Sequence, residues 1–251
     1  MPGFLSFFRS KYPKKRWIRV LILVLALVVG IPLIWMAWMT SSYYIQIQKG
    51  TGISPKQKLL QRSIASKVAN VTANQEDLAR LVPQGNVPKL GGDQAPVSVV
   101  LFVDYQCPYT KESMPAIRTV MDHIGDRAQL VIRDFPIVEL HPEARDVAHA
   151  ARCVLEQGQK AYWRYQELLF AQQDTISSEA LRQLASTASV NVARFDECMV
   201  SRRYDIAIDQ DLTFGERVGV SGTPTFFVNG AKFEGSVDEE LFTKAINYFL
   251  E

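Results

Sequence analysis

The chain has 251 residues, of which 47% are hydrophobic, and its 28 Lys and Arg nearly cancel its 26 Asp and Glu, leaving a formal net charge of +2. The apolar share is ample for a core in one large domain, or in one medium domain with appendages, and the near-balance of charge gives no reason to expect a nucleic-acid partner. Cysteine occurs 3 times, so at least one is left over from any pairing.

Much of the local positive charge lies at the start, where Arg9, Lys11, Lys14, Lys15, Arg16 and Arg19 precede an uncharged apolar run, Val20 to Met39. At about 1.5 Å per residue this run reaches roughly 30 Å, the thickness of a bilayer's hydrocarbon core. A cleaved signal peptide is the competing reading, but its apolar region is shorter and ends in small residues. Here the run ends in Trp35, Met36, Trp38 and Met39, with Tyr43 and Tyr44 at headgroup depth, which favours a retained anchor, and Pro32 does not argue against spanning. The basic flank makes residues 1–19 a cytoplasmic tail and 20–39 a single transmembrane helix in the cell membrane, with the C-terminal domain outside the cytoplasm. Residues 40–88 read as an extracytoplasmic stalk with short helical stretches around Pro55–Val68 and Asn74–Leu81, one of them a candidate protein-binding helix. Asn70-Val71-Thr72 matches a glycosylation sequon, a short pattern of little weight.

Gly91-Gly92 and Ala95-Pro96 lead into Val97–Val103, whose composition is that of a buried strand. The strand stops at Asp104-Tyr105-Gln106-Cys107-Pro108-Tyr109-Thr110, after which Met114, Ile117, Val120, Met121 and Ile124 recur at helical spacing. Pro108 suits the first helical position, so Cys107 stands at the helix mouth, facing unpaired N–H groups and the positive end of the helix dipole, a setting that favours a thiolate nucleophile. Acidic Asp104 and Glu112 and basic Lys111 act on that thiol in opposite directions. The helix stops near Gly125, and Gln129–Arg133 reads as a second strand, parallel to the first if the crossover is right-handed.

From Pro142 to about Val218 the pattern is helical, with Ala144, Val147, Ala148, Ala151, Val154 and Leu155 on one face and Gly158 as a C-cap. It continues through Tyr162–Phe170, whose aromatic cluster reads as core, then Ser178–Ala188, Val192–Met199 and Tyr204–Val218. Thr225–Val228, Asn229-Gly230 and Ala231–Phe233 form a hairpin signal, because both turn residues need positive φ. Ser236 to Glu239 reads as a capping box for a final helix burying Val237, Leu241, Ala245, Ile246 and Phe249. His123, His141 and His149 show no metal-ligand spacing with the cysteines and read as surface or helix-terminal residues, so neither metal nor cofactor is expected.

Strand, Cys-Pro-Tyr, helix, strand, helical block, hairpin and helix together resemble the DsbA-like thiol:disulfide oxidoreductases of the thioredoxin fold, over residues 89–251 with the insert at about 140–218. The resemblance implies an α/β thioredoxin-like core with an inserted helical domain, preceded here by one transmembrane helix. It implies that Pro224 is cis and faces Cys107, and that Gly222, Thr223 and Pro224 hold an extended substrate peptide through its backbone. One position departs from the family. Where a second cysteine is usual, this chain has Thr110, so Cys107, Pro108, Tyr109 and Thr110 form a one-thiol site in which Thr110 is placed to donate to the sulfur or to cap the helix. For an exported domain the preferred assignment leaves Cys107 free and pairs Cys153 with Cys198; two unpaired buried thiols, or one of them resolving Cys107 adducts, are the alternatives.

The function so implied is thiol-disulfide exchange on exported or unfolded polypeptides, isomerase-like, through mixed disulfides that an external thiol or a redox partner protein resolves. A redox-silent chaperone or peptide-binding module is the second reading, and an engineered Thr110 that traps complexes is a third.

Overall fold

Val97–Val103 carries β-branched and aromatic side chains with no charge, which suits a strand buried on both faces, and it is the central strand of the sheet. The computed structural model describes residues 14–48, 55–69, 77, 80–83 and 85–251. Arg9, Lys11, the Asn70 sequon and most of the 74–81 stretch lie outside these. Two units meet between Leu59 and Leu60. The first contains α1 (Lys14–Gln48), in which Val24–Ser42 has a mean hydropathy of 2.0 and is long and apolar enough to cross a membrane. Its described side chains are largely exposed, Trp35 and Trp38 among them, and Pro32 lies inside the helix.

α2 (Pro55–Ala69) leads into the second unit, and Ile64 on α2 and Leu81, both within the stretch read as a stalk, are buried in its two cores. The sheet has the order β1-β3-β2-β4-β5. Its members are β1 (Lys89–Gly91), β2 (Val97–Val103), β3 (Ala128–Asp134), β4 (Thr225–Val228) and β5 (Ala231–Glu234). β2 and β3 are parallel, joined by α3 (Pro108–Ile124) as the crossover, and the other pairings are antiparallel. The edge strand β1 carried no sequence signal: it has three residues, and Gly91, at φ +91°, is pressed so close to the Ala128 carbonyl that a Cβ would lie 2.1 Å from it.

Alternation along β2 sends Val97, Val99, Leu101 and Val103 to one face, with Met114, Ile117 and Val120 of α3. Val100 and Phe102 point to the other, with Phe135, Phe214 and Phe227. The hairpin forms as the Asn-Gly pair requires, Asn229 at φ 44° and Gly230 at φ 88°. Asn229 does more than turn the chain. Its Oδ1 accepts from Ser98 N at 2.8 Å, its own N donates to Ser98 O at 2.8 Å, and its Nδ2 donates to Pro96 O at 3.3 Å. The last helix, α9 (Glu239–Asn247), starts later than the capping-box reading placed it. Asp238 is its cap, accepting from Leu241 N at 2.8 Å, while Ser236 Oγ donates to Glu112.

Between β3 and β4 lie α4 (Ala144–Leu155), α5 (Gln159–Ala171), a 3-10 turn (Gln173–Thr175), α6 (Ser178–Thr187), α7 (Val192–Ser201) and α8 (Asp205–Arg217). Gly158, expected to close α4, instead opens α5 at φ 132°, because α4 already ends at Leu155. Cys153 on α4 and Cys198 on α7 are disulfide-bonded across a separation of 45 residues, which loop-closure entropy values at about 4 kcal/mol as an upper figure.

A buried ion cluster fastens the helical block to the sheet. Arg152 donates from Nε to Asp134 at 2.6 Å and from Nη2 to Asp211 at 2.5 Å, and Arg133 lies 3.5 Å from Asp211 with its guanidinium 4.2 Å above the Phe214 ring. Burial pushes Asp211 from its ordinary 3.8 up to about 6; the Asp134 charge adds to this and the guanidinium of Arg152 opposes it. Over that window the native state holds a proton the unfolded chain has lost, so the contribution of Asp211 to stability falls as pH rises through it. Urea unfolding at about pH 4 and about pH 6 is expected to show wild type losing about 2 kcal/mol relative to Asp211→Asn, with little further change above.

Candidate active site

The end of β2 delivers a turn built by Asp104. Its Oδ1 accepts from Gln106 N at 2.8 Å and its main-chain carbonyl accepts from Cys107 N at 3.1 Å. Its Oδ2 accepts from Ile137 N at 2.9 Å and meets His141 Nδ1 at 2.8 Å. The carboxylate is thus a brace for the loop.

Cys107 is the N-cap residue of α3, in extended conformation, with Pro108 at the first helical position. It is 5% exposed and is the free cysteine of the chain. Its Sγ donates to the Thr223 carbonyl oxygen at 3.1 Å, and the Thr223–Pro224 peptide is cis. The facing loop is closed by Thr225 Oγ1, which donates to Gly222 O at 2.7 Å. Cys107, Pro108, Gly222, Thr223 and Pro224 therefore converge. Tyr109 stands at their edge, 61% exposed.

Thr110 does not donate to the sulfur. Its side chain is fully buried and Oγ1 has no hydrogen-bond partner, a condition it shares with Thr223 Oγ1. Thr110 is the third residue of α3 and is buried in the same helix as Ser113 and Met114. Ser113 Oγ donates to Tyr109 O at 2.9 Å and accepts from Val237 N at 3.1 Å, fixing the first turn against the chain before α9.

Gln173, which the sequence gave no reason to single out, reaches the site from the helical block. Its Nε2 donates to Tyr105 O at 2.8 Å and to Cys107 O at 3.0 Å. Tyr105 is tied to the same block by a hydroxyl contact with Tyr162 at 2.7 Å and by stacking on Phe170. Burial holds both phenols above their usual range, so the pair stays neutral. An amide from a 3-10 turn carries no periodicity by which a sequence could reveal it. Cys153 and Cys198 lie within the helical block, bonded to each other. His149, expected at the surface, is fully buried beside them, because its polar atoms find partners in Asp205 and the Cys198 carbonyl. A cavity of about 780 Å³, lined by Arg133, Arg152, Tyr204, Asp211 and Phe214 among others, has none of the thiol-site residues in its walls.

A cysteine at a helix mouth, opposite a cis-proline loop, on a five-stranded sheet with a helical block inserted between β3 and β4, defines a thioredoxin-like fold of the DsbA type. The family model for thioredoxin matches residues 84–248, and the chain belongs to that family. Among solved structures, a thioredoxin-like oxidoreductase from Silicibacter pomeroyi is similar with a TM-score of 0.58 at 26% identity, over 70% of this chain and 97% of that one. The thiol-disulfide exchange protein α-DsbA2 from Wolbachia pipientis shares the fold, with a TM-score of 0.62 at 18% identity over 74% and 96% of the two chains. BdbD from Bacillus subtilis shares it too, with a TM-score of 0.57 at 24% identity over 66% and 93%. The Na(+)/H(+) antiporter NhaA 3 of Salinispora tropica is 37% identical over 157 residues, 62% of this chain. The match spans about a quarter, 24%, of that relative's length.

Replacing Gln173 with Leu removes two donors and leaves Tyr105 O buried without one. Gln173→Leu is expected to lower the urea unfolding free energy by about 1–3 kcal/mol and to slow alkylation of Cys107 in the native protein, both measured against wild type.

Proposed function

We propose that this protein is a membrane-anchored thiol-disulfide exchange protein whose working group is Cys107. The observation that carries the reading is the Cys107 Sγ set 3.1 Å from the carbonyl of Thr223, the residue before a cis proline, at the mouth of α3. In the proposed reaction the Cys107 thiolate attacks one sulfur of a substrate disulfide. That S–S bond breaks, the departing thiolate takes up a proton, and the substrate stays bonded to Cys107. A second thiol, from the substrate or from a redox partner protein, then attacks the mixed disulfide and returns Cys107 as thiolate. Disulfides are exchanged with no net oxidation, which matches a site with Thr110 where a resolving thiol would stand.

Backbone groups around Thr223 and Pro224 would hold an extended segment of an exported or unfolded polypeptide, and the exposed Tyr109 ring would flank it. The apolar span at Val24–Ser42, preceded by Lys14, Lys15, Arg16 and Arg19, supports a single-pass anchor with its N-terminus in the cytoplasm and the thiol domain outside. On this reading 1–19 is the cytoplasmic tail, 20–39 the anchor, 40–88 the connecting segment and 89–251 the working domain. A redox-silent peptide-binding module is the second reading, favoured by one observation: Cys107 is buried and its sulfur already engaged with Thr223.

Incubation with a peptide disulfide, followed by peptide mass mapping, separates the two. Exchange chemistry gives one adduct per chain, on Cys107, that Cys107→Ser abolishes; a wild-type protein that forms no adduct, with Cys107→Ser equally able to suppress aggregation of an unfolded client, would establish the binding module. Thr110→Cys restores an intramolecular thiol at a position already sized for a small side chain. The introduced thiol is expected to attack the mixed disulfide, release the peptide as a thiol and leave a disulfide to Cys107 in the protein. A stoichiometric adduct then gives way to reduction of the peptide disulfide, read as free-thiol gain on the peptide, with an adduct lifetime at least tenfold shorter.

A further inference from the structure

Away from the thiol site, three side chains with metal-ligating atoms meet inside the helical block. His149 and Cys153 are four residues apart on one face of α4, and Cys198 comes from α7. One ring nitrogen of His149 and the two Sγ atoms lie within 4.8 Å of one another, and all three side chains are buried. The ligand atoms of a tetrahedral zinc ion, with Zn–S about 2.3 Å and Zn–N about 2.0 Å, stand roughly 3.5–3.8 Å apart. The nitrogen is within reach of that spacing, and the two sulfurs, bonded to each other here, would reach it by parting when the bond is opened.

The surroundings of His149 bear on the same point. Nδ1 lies 3.0 Å from Asp205 Oδ1, and the other oxygen of that carboxylate accepts from Arg202 Nε at 3.0 Å. Nε2 lies 3.1 Å from the Cys198 carbonyl oxygen. Both neighbours of the ring are acceptors, so a neutral imidazole satisfies one of them and sets a lone pair against the other. With its hydrogen on Nδ1, directed to Asp205, the ring would have the carboxylate-oriented arrangement of a metal-binding histidine, and Nε2 would exchange its contact with the Cys198 carbonyl for the ion.

We infer that reduction of the Cys153–Cys198 bond turns this cluster into a site for Zn2+ or another thiolate-preferring divalent ion, held by Cys153 Sγ, Cys198 Sγ and His149 Nε2. The disulfide takes two electrons and two protons from a dithiol reductant, which leaves as its own disulfide. The two thiols then release their protons as the ion binds, so two thiolates and one divalent cation place no net charge in the interior. Disulfide and metal exclude each other, so the ion takes over the link between α4 and α7 when the covalent one is opened. Cys107 has no part in this, and the inference is independent of the exchange reading.

The test uses full-length Cys107→Ser in detergent, reduced with a phosphine, freed of reductant without oxygen and titrated with Co2+. Thiolate-to-cobalt charge-transfer bands that saturate at one equivalent, bleach on adding Zn2+ and are absent from the oxidised protein are the expected result. Asp205→Asn, which removes the carboxylate charge behind His149 together with its exposed ion pair to Arg202, is expected to weaken binding 10–100-fold, and His149→Gln by at least as much. Absence of the bands in reduced protein overturns the inference, as does equal Co2+ affinity in oxidised protein. Should His149→Gln fail to fold, unchanged affinity in Asp205→Asn overturns the assignment of the histidine.

Discussion

The antiparallel pairing of β2 with β4 is the constraint on which the rest of this molecule rests. Phe102 stands opposite Thr225, so the turn that leaves the end of β2 and the loop that feeds the start of β4 emerge at the same edge of the sheet. Cys107 and Thr223 are 116 residues apart in the chain and touch because of that register. Everything between them, the crossover helix, β3 and five helices, is an excursion that has to return to its starting point. Loop closure over such a length is unfavourable before contacts offset it, and the sheet and its two aromatic and aliphatic cores supply those contacts.

The helical block is part of the site's support. Gln173 holds two main-chain carbonyls of the Cys107 turn, Tyr162 meets Tyr105, and Arg152 grips the end of β3. Because these groups are buried, each unsatisfied partner would carry a desolvation penalty, so the block cannot shift as a rigid body without leaving carbonyls or charges unpaired. The disulfide between α4 and α7 holds the far side of the same block.

Much of this was legible in the sequence, for identifiable reasons. β2, the helix behind Cys107 and the Asn229-Gly230 hairpin rest on local chemistry: an uncharged β-branched run, a proline at a helix start, and a turn that needs two positive φ values. The Cys153–Cys198 bond was the preferred reading, resting on compartment and on Cys107 being set aside as the reactive thiol. What the sequence hid is long-range or depends on one atom. β1 exists because β3 offers an open edge, and its three residues have no pattern of their own. Gln173 and the Asp104–His141 contact are made by single side chains whose partners lie 66 or more and 37 residues away. His149 looked like a surface residue because burial of an imidazole depends on acceptors contributed by α7 and α8. Thr110 is buried with its hydroxyl unpartnered, an outcome that its place beside a helix-mouth sulfur did not indicate.

Asn229 shows how far a local choice can reach. Its side chain and main chain grip Ser98 and Pro96 at the opposite end of β2 from the thiol, so the alignment of the two strands is latched at the hairpin. Strand side chains alternate between faces, and a slip of one residue would send Val99 and Leu101 to the face now held by Val100 and Phe102. It would also carry the proline loop about 3.4 Å along the sheet, beyond reach of the sulfur. Alignment at the thiol is therefore inherited from the far end of the strand, and a latch several residues away sets the aim of the loop across from it.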